Sequence, residues 1–128
     1  MSQYYKLRGT YVWNAGMSSS RQFRRYLTAF EAELAAPSGV GPMEPDDVSE
    51  IDPEVFGAFV AALLHWYRSH ICSSDTELLS SGFVTMVLAL AERAGIPVDW
   101  PVEEQLWPRE QLAALRERVH MIARRMAS

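Results

Sequence analysis

The sequence has one cysteine, no long apolar run and no secretory-type leader. A single cysteine, Cys72, excludes an internal disulfide and suits a reducing compartment. The longest nearly apolar run, residues 83–91, is far too short to cross a bilayer. The opening residues lack the apolar segment that follows a basic start in a secretory signal. We therefore expect a cytoplasmic protein that does not enter a membrane.

Apolar residues are nevertheless numerous enough to form a core. Of the 128 residues, 48% are hydrophobic and 22% are charged, which is ordinary for a globular domain and unlike a disordered chain. A domain of this size buries roughly two-thirds of the surface that its unfolded chain exposes. The sequence therefore predicts one domain, residues 1–128, that folds without a disulfide, a metal or another cofactor.

Acidic and basic residues are segregated along the chain, although the net charge is only −4. Residues 1–30 carry five basic groups and no acid, whereas residues 31–54 carry eight acids and no base. Such blocks attract each other within one fold or attract a partner. Nucleic acid is disfavoured as a partner, because the total charge is acidic and there is no dense stripe of Lys and Arg.

The residue patterns predict a mainly α fold, a small four-helix domain with a short N-terminal β-hairpin. Two aromatic runs around a central glycine indicate the hairpin, residues 3–13. Apolar residues at spacings of three and four predict the helices, at about 19–36, 53–69, 75–94 and 108–126.

Capping residues mark several of these helix ends. Asp52 before Pro53 indicates the start of the second helix, and Gly95 indicates the end of the third. The first and third helices are preceded by capping boxes, Ser19 with Gln22 and Ser74 with Glu77.

The C-terminal part combines an unusual segment with a heptad stripe. Residues 96–110 contain three prolines and two tryptophans, which suggests an extended segment anchored by Trp100 and Trp107. The last helix then repeats apolar residues in a three-four rhythm, at Leu112, Leu115, Val119, Ile122 and Met126. This stripe packs either on the core or on a second copy of the chain, which would make the protein a homodimer.

The stretch GVGPMEPDDVSEIDPE, residues 39–54, contains six carboxylates and no Lys or Arg. It is not an EF-hand loop, because Ile51 takes the place of the required glycine when Asp46 is the first ligand. One of the six, Asp52, is explained as the cap at the start of the second predicted helix. Four acids have no such structural role and form a candidate surface for a basic partner: Glu44, Asp46, Asp47 and Glu50.

No combination of residues indicates a metal site. His65 and His70 lie five positions apart, about 140° around a helix, so they cannot bind one metal together. His70, Cys72 and Asp75 would be too few and too mixed a set for a structural zinc site.

His65 is the candidate acid or base, because its small helix neighbours leave room for a ligand or for a packed helix. A general base also needs a substrate within reach, and nothing in the sequence indicates one, so a structural role for His65 is the favoured interpretation. An aromatic pocket near His65 would be walled by Tyr5, Trp13, Trp66 and Tyr67.

Three arginines, Arg21, Arg24 and Arg25, lie on the outward face of the first predicted helix. They either bind an anion or form a solvated face that pairs weakly with carboxylates. The GVG motif at residues 39–41 is followed by Pro42 and not by a phosphate-binding helix.

A resemblance to a known protein family rests on three segments: APSGVGPMEPDD, IDPEVFGAFVAALLHWY and SSGFVTMVLALAERAG. Together they are similar to a family of small uncharacterised proteins from soil bacteria with high-GC genomes, a domain of unknown function. The resemblance covers residues 2–97, and the tail from Trp100 onward is individual. It implies no activity and no catalytic residue.

Two function classes follow. In the first, the protein is a small cytoplasmic binding module, immunity-like or adaptor-like, whose acidic connection and aromatic surface engage a basic protein. In the second, it is a small cofactor-free enzyme or ligand-binding protein of specialised metabolism, with an aromatic pocket for a small molecule near His65. A deep apolar cavity that reaches His65 would favour the second class, and a filled core with an acidic surface would favour the first.

Overall fold

The computed structural model describes residues 1–70, 73–100 and 109–126. Within these residues the protein is mainly helical, with four helices and a small sheet, as the periodicity predicted. The elements in chain order are β1 (Ser2–Leu7), β2 (Thr10–Gly16), α1 (Met17–Leu34), β3 (Val48–Glu50), α2 (Pro53–His70), α3 (Ser74–Ala94) and α4 (Arg109–Arg125).

The sheet has three strands in the order β2-β1-β3, which corrects the expected hairpin layout. β1 and β2 pair antiparallel, with Arg8 and Gly9 at positive φ in the turn, and β1 also pairs in parallel with β3. The sequence did not indicate β3, because it is three residues long and lies inside the acidic stretch, where no apolar alternation marks a strand.

Two of the helix ends follow the capping signals closely. Asp52 Oδ1 accepts hydrogen bonds from the backbone N–H groups of Glu54 and Val55, both at 3.1 Å, so this carboxylate caps α2. Gly95 ends α3 in the left-handed conformation, with φ of 74°.

The two capping boxes are wrong in detail. α1 follows β2 without a loop, so its N-cap is Gly16 and no side chain caps it. The N-cap of α3 is Ser73, one residue before the predicted one, and its hydroxyl accepts from the N–H of Thr76 at 3.4 Å.

α3 forms the centre of the core. Its stretch from Phe83 to Ala91 is buried at all but one position, as expected for a helix that is apolar on nearly every side. α2 and α4 both pack against it. Leu115 and Val119 of the α4 stripe are 1% and 0% exposed within the single chain, so the stripe covers the protein's own core.

The tryptophan-rich segment falls mostly outside the described residues, and Trp107 is among those not described. Trp100 is half-buried, and the Arg116 guanidinium lies 5.1 Å from the centre of its ring. In the described ranges, no helix combines the length and the apolarity needed to span a membrane.

Candidate functional site

The acidic loop, residues 39–50, is held by backbone hydrogen bonds and is not a flexible linker. The Gly41 N–H donates to the carbonyl of Glu50 at 2.8 Å, and the Glu44 N–H donates to the carbonyl of Val48 at 2.9 Å. These bonds fold residues 40–44 back along β3, so the outer edge of the sheet is covered on that side. The backbone of the loop is therefore held in place by hydrogen bonds to β3.

The GVG motif at the start of the acidic loop is explained by close backbone approach. Gly39 has φ of +79°, and a Cβ there would lie 2.8 Å from the N atom of Phe56 and 2.9 Å from the carbonyl oxygen of Asp52. A Cβ on Gly41 would lie 2.8 Å from the carbonyl oxygen of Glu50. Both positions require glycine because the loop packs directly on α2 and β3.

Arg24 attaches the acidic loop to α1. Its Nη2 donates to the carbonyl oxygen of Gly41 at 2.8 Å, and the hydroxyl of buried Ser49 donates to the same oxygen at 2.8 Å. The sequence placed Arg24 in an anion-binding or solvated cluster and missed this role. The segregated charges pointed to attraction between the two segments, but the contact goes to a carbonyl, which no charge pattern reveals.

Three of the four unassigned carboxylates of the acidic loop are exposed to solvent. Glu44, Asp46 and Glu50 are exposed, and Asp47 is half-buried with φ of 62°. None of the four side chains makes a hydrogen bond or an ion pair within residues 1–70, 73–100 and 109–126. The loop thus presents carboxylates that are not tied to any described side chain or backbone group.

Carboxylates do not gather into a metal site in this part of the chain. Among the described residues, no three His, Cys, Asp or Glu side chains lie close enough together to hold a metal ion. Cys72, considered with His70 and Asp75 in the sequence, lies outside those residues.

Tyr5 and Trp13, two of the four predicted pocket aromatics, belong to the core. Their rings stack at 5.0 Å, and the ring of Phe23 meets both edge-on. Tyr5 is fully buried, and its hydroxyl forms a hydrogen bond of 2.7 Å with the hydroxyl of Ser20. This cluster joins the sheet to α1, so a structural role accounts for it.

The other two aromatics, Trp66 and Tyr67, lie on α2. Trp66 is half-buried, with its ring between those of Phe30 and His70 at 5.1 and 4.6 Å. Tyr67 is buried, and its burial raises the pKa of its hydroxyl. Glu77 raises that pKa further, and the positive charge of Arg118 opposes the shift.

His65 directly precedes Trp66 on α2, and its side chain is exposed. Its imidazole makes no hydrogen bond to a described residue. Neither of the two cavities described below is lined by His65, Tyr5, Trp66 or Tyr67. The structure does not bring the predicted pocket residues together around this histidine.

An apolar groove of about 660 Å³ lies between α1, α3 and α4. Six large hydrophobic side chains are exposed in the described residues, and four of them line this groove: Tyr26, Leu78, Leu79 and Met121. Its deeper surface includes three buried aromatic side chains, Trp13, Phe23 and Phe83. Most of the large apolar side chains exposed in the described residues are therefore at one place, which periodicity alone did not indicate.

A second cleft, of about 490 Å³, runs along the basic face of α1. Arg21, Arg24 and Arg25 line it together with Met43 from the acidic loop. The basic face and the acidic loop are thus neighbours. Even so, the described residues contain no ion pair between them, and the hydrogen bond from Arg24 to the loop goes to a carbonyl oxygen.

The chain belongs to a family of unknown function (DUF6086), whose sequence profile matches residues 1–128. The match includes the C-terminal tail, which the sequence resemblance had left out. No curated protein and no solved structure gives a significant match to the chain.

Proposed function

We propose that this protein is a small cytoplasmic binding module, immunity-like or adaptor-like, whose acidic loop engages a basic protein. One observation carries the proposal. Glu44, Asp46 and Glu50 are exposed on an ordered loop, and none of them forms an ion pair with a described residue. Four like charges held on one short loop repel one another, and a positive partner relieves that repulsion.

The fixed backbone of the loop supports the same proposal. Binding costs less free energy when the interacting segment is already ordered, because fewer conformations are lost. Arg24 and the two glycines hold the loop in one conformation without using its carboxylates. Complementary charge then favours encounter with a basic surface and disfavours acidic ones.

The enzyme alternative has less support, because His65 is exposed and lines neither described cavity. A ligand-binding role keeps one supporting observation, the apolar groove, which lies away from His65. Placement in the cytoplasm is also part of the proposal and is supported by the single cysteine.

The test is capture of a protein from the lysate of the source cells, with the parent chain and a quadruple variant as baits. The variant carries Glu44→Gln, Asp46→Asn, Asp47→Asn and Glu50→Gln. A matched control neutralises four exposed acids elsewhere, with Glu33→Gln, Asp99→Asn, Glu110→Gln and Glu117→Gln. Mass spectrometry of the eluted proteins identifies what each bait retains.

We expect the parent and the control to retain the same basic protein, and the quadruple variant to lose it. The loss should be greatest at low salt, where charge contributes most. Melting temperatures measured with and without calcium or zinc distinguish a partner surface from a metal site. A metal ion that raises the melting temperature of the parent but not of the quadruple variant would contradict the proposal. The capture is done at low and at raised salt, and equal capture by all three baits under both conditions would also contradict the proposal.

A further inference from the structure

We infer that the apolar groove between α1, α3 and α4 is a binding site for a small amphipathic carboxylate. The apolar part of such a ligand would lie along the groove, and its carboxylate would meet the Arg118 guanidinium. This inference is independent of the acidic loop, because no residue of that loop lines the groove.

The size and lining of the groove fit a small molecule. Its volume of about 660 Å³ falls in the range of small-molecule sites, roughly 300 to 1,000 Å³. Buried aromatic rings form the deeper surface, and Leu78 and Leu79 remain 80% and 83% exposed at the rim. Two adjacent leucines exposed to this extent become buried when an apolar ligand occupies the groove.

The charges of the groove select the polar part of the ligand. Arg118 is the charged side chain of its lining, and no carboxylate lines it. Arg118 is exposed and makes no ion pair or hydrogen bond with a described residue. A guanidinium binds a carboxylate through two parallel N–H···O bonds, so it favours that group over a neutral head.

Other polar groups in the groove are few, and one of them is already used. The hydroxyl of Thr85 donates to the carbonyl oxygen of Ser81 at 2.7 Å. The lining otherwise offers hydroxyl and amide groups at four residues: Ser19, Gln22, Tyr26 and Ser81. A ligand with one anionic end and an extended apolar body therefore satisfies the site better than a strongly polar ligand does.

Calorimetric titration of the full chain with dodecanoate, below its micelle concentration, tests this site. Dodecanol has the same chain length without the charge and serves as the comparison probe. We expect dodecanoate to bind the parent. Arg118→Gln should lower the affinity for dodecanoate about tenfold, the effect of one lost charge-assisted contact. Arg125→Gln, an exposed arginine of the same helix outside the groove, should bind like the parent.

Methionine methyl NMR locates the bound probe. Met86 and Met121 line the groove, whereas Met17 and Met43 line the arginine cleft. We expect dodecanoate to shift the first pair and to leave the second pair unchanged. Leu79→Ser should weaken the binding of dodecanoate and of dodecanol alike. The circular dichroism spectra of the three variants should match that of the parent, because Leu79, Arg118 and Arg125 are all exposed.

Three results would overturn the inference. The first is the absence of dodecanoate binding to the folded parent. The second is equal affinity of Arg118→Gln and Arg125→Gln, or of dodecanoate and dodecanol, because Arg118 would then select no carboxylate. The third is a shift of Met17 and Met43 in place of Met86 and Met121.

Discussion

Arg24 on α1 and Gly41 in the acidic loop are joined by a hydrogen bond of 2.8 Å from the guanidinium Nη2 to the carbonyl oxygen. The same oxygen accepts from Ser49 at 2.8 Å, so one carbonyl links the helix, the loop and β3. A single basic side chain thus fixes the position of a loop whose own charges are negative.

Arg24→Gln should lower the free energy of unfolding by about 1 to 2 kcal/mol, because a charge-assisted, partly buried hydrogen bond is lost. Arg21→Gln is the matched control, since Arg21 is exposed and forms no hydrogen bond with a described residue. Its effect should stay within about 0.5 kcal/mol. Urea unfolding measures both, and equal effects of the two substitutions would refute the role of Arg24.

Gly39→Ala should destabilise the protein by about 1 to 3 kcal/mol, the usual range for a residue forced into a disfavoured backbone conformation. A Cβ at this position also meets the backbone of α2 at under 3.0 Å. Gly82→Ala is the control, because a Cβ there meets no atom within 4 Å and the residue lies inside α3. Gly82→Ala should raise stability by about 0.5 to 1 kcal/mol.

Thermal or urea unfolding decides between these outcomes. The opposite signs predicted for two Gly→Ala changes exclude a general effect of alanine on the unfolded chain. If Gly39→Ala were as stable as the parent, the close packing of the acidic loop on α2 would be wrong.

Leu115→Ala and Val119→Ala should each destabilise the protein by about 1 to 4 kcal/mol. Both side chains are buried in α4, which packs against α3, and their truncation leaves a cavity. Met121→Ala, on the more exposed side of α4, should cost less. Unchanged melting in both core variants would contradict the packing of α4. A melting temperature of the parent that rises with protein concentration would indicate the homodimer expected as the alternative.

Tyr67 should make stability fall at alkaline pH. Burial raises the pKa of its hydroxyl above the ordinary value of 10.0, so the folded protein holds this proton more tightly than the unfolded chain. The corresponding stability is fully present below the unfolded pKa and is lost as the pH rises through the folded pKa. Tyr67→Phe should therefore lose stability less steeply above pH 10 than the parent.

Tyr11→Phe removes an exposed tyrosine and should follow the parent curve. Urea unfolding at a series of alkaline pH values gives the comparison. Parallel curves for Tyr67→Phe and the parent would show that this phenol does not govern the alkaline loss.

Local features of this fold were predictable from the sequence, because their causes lie within a few residues. Asp52, Pro53 and the apolar period that follows specify the start of α2, and the Asp52 cap is confirmed. The stripe on α4 is likewise read from spacing, although spacing could not decide between the core and a second copy. β3 was not predictable, since it is stabilised by pairing with a distant strand.

The candidate site was less predictable, because composition does not reveal which side chains meet. Aromatic residues such as Tyr5 and Trp13 suit a pocket wall and a core equally well, and the structure places them in the core. The acidic loop was visible as charge, but its attachment through Arg24 depends on a carbonyl that no residue pattern marks. The apolar groove is assembled from elements far apart in sequence, so its residues share no motif.

The central claim is that the carboxylates of the acidic loop bind a basic protein. Its most direct test is the dissociation constant of the captured partner for the parent, the quadruple variant and the matched control, each at low and raised salt. We expect equal, salt-sensitive binding by parent and control, with weaker and less salt-sensitive binding by the variant. Equal dissociation constants for variant and parent at both salt concentrations would contradict it.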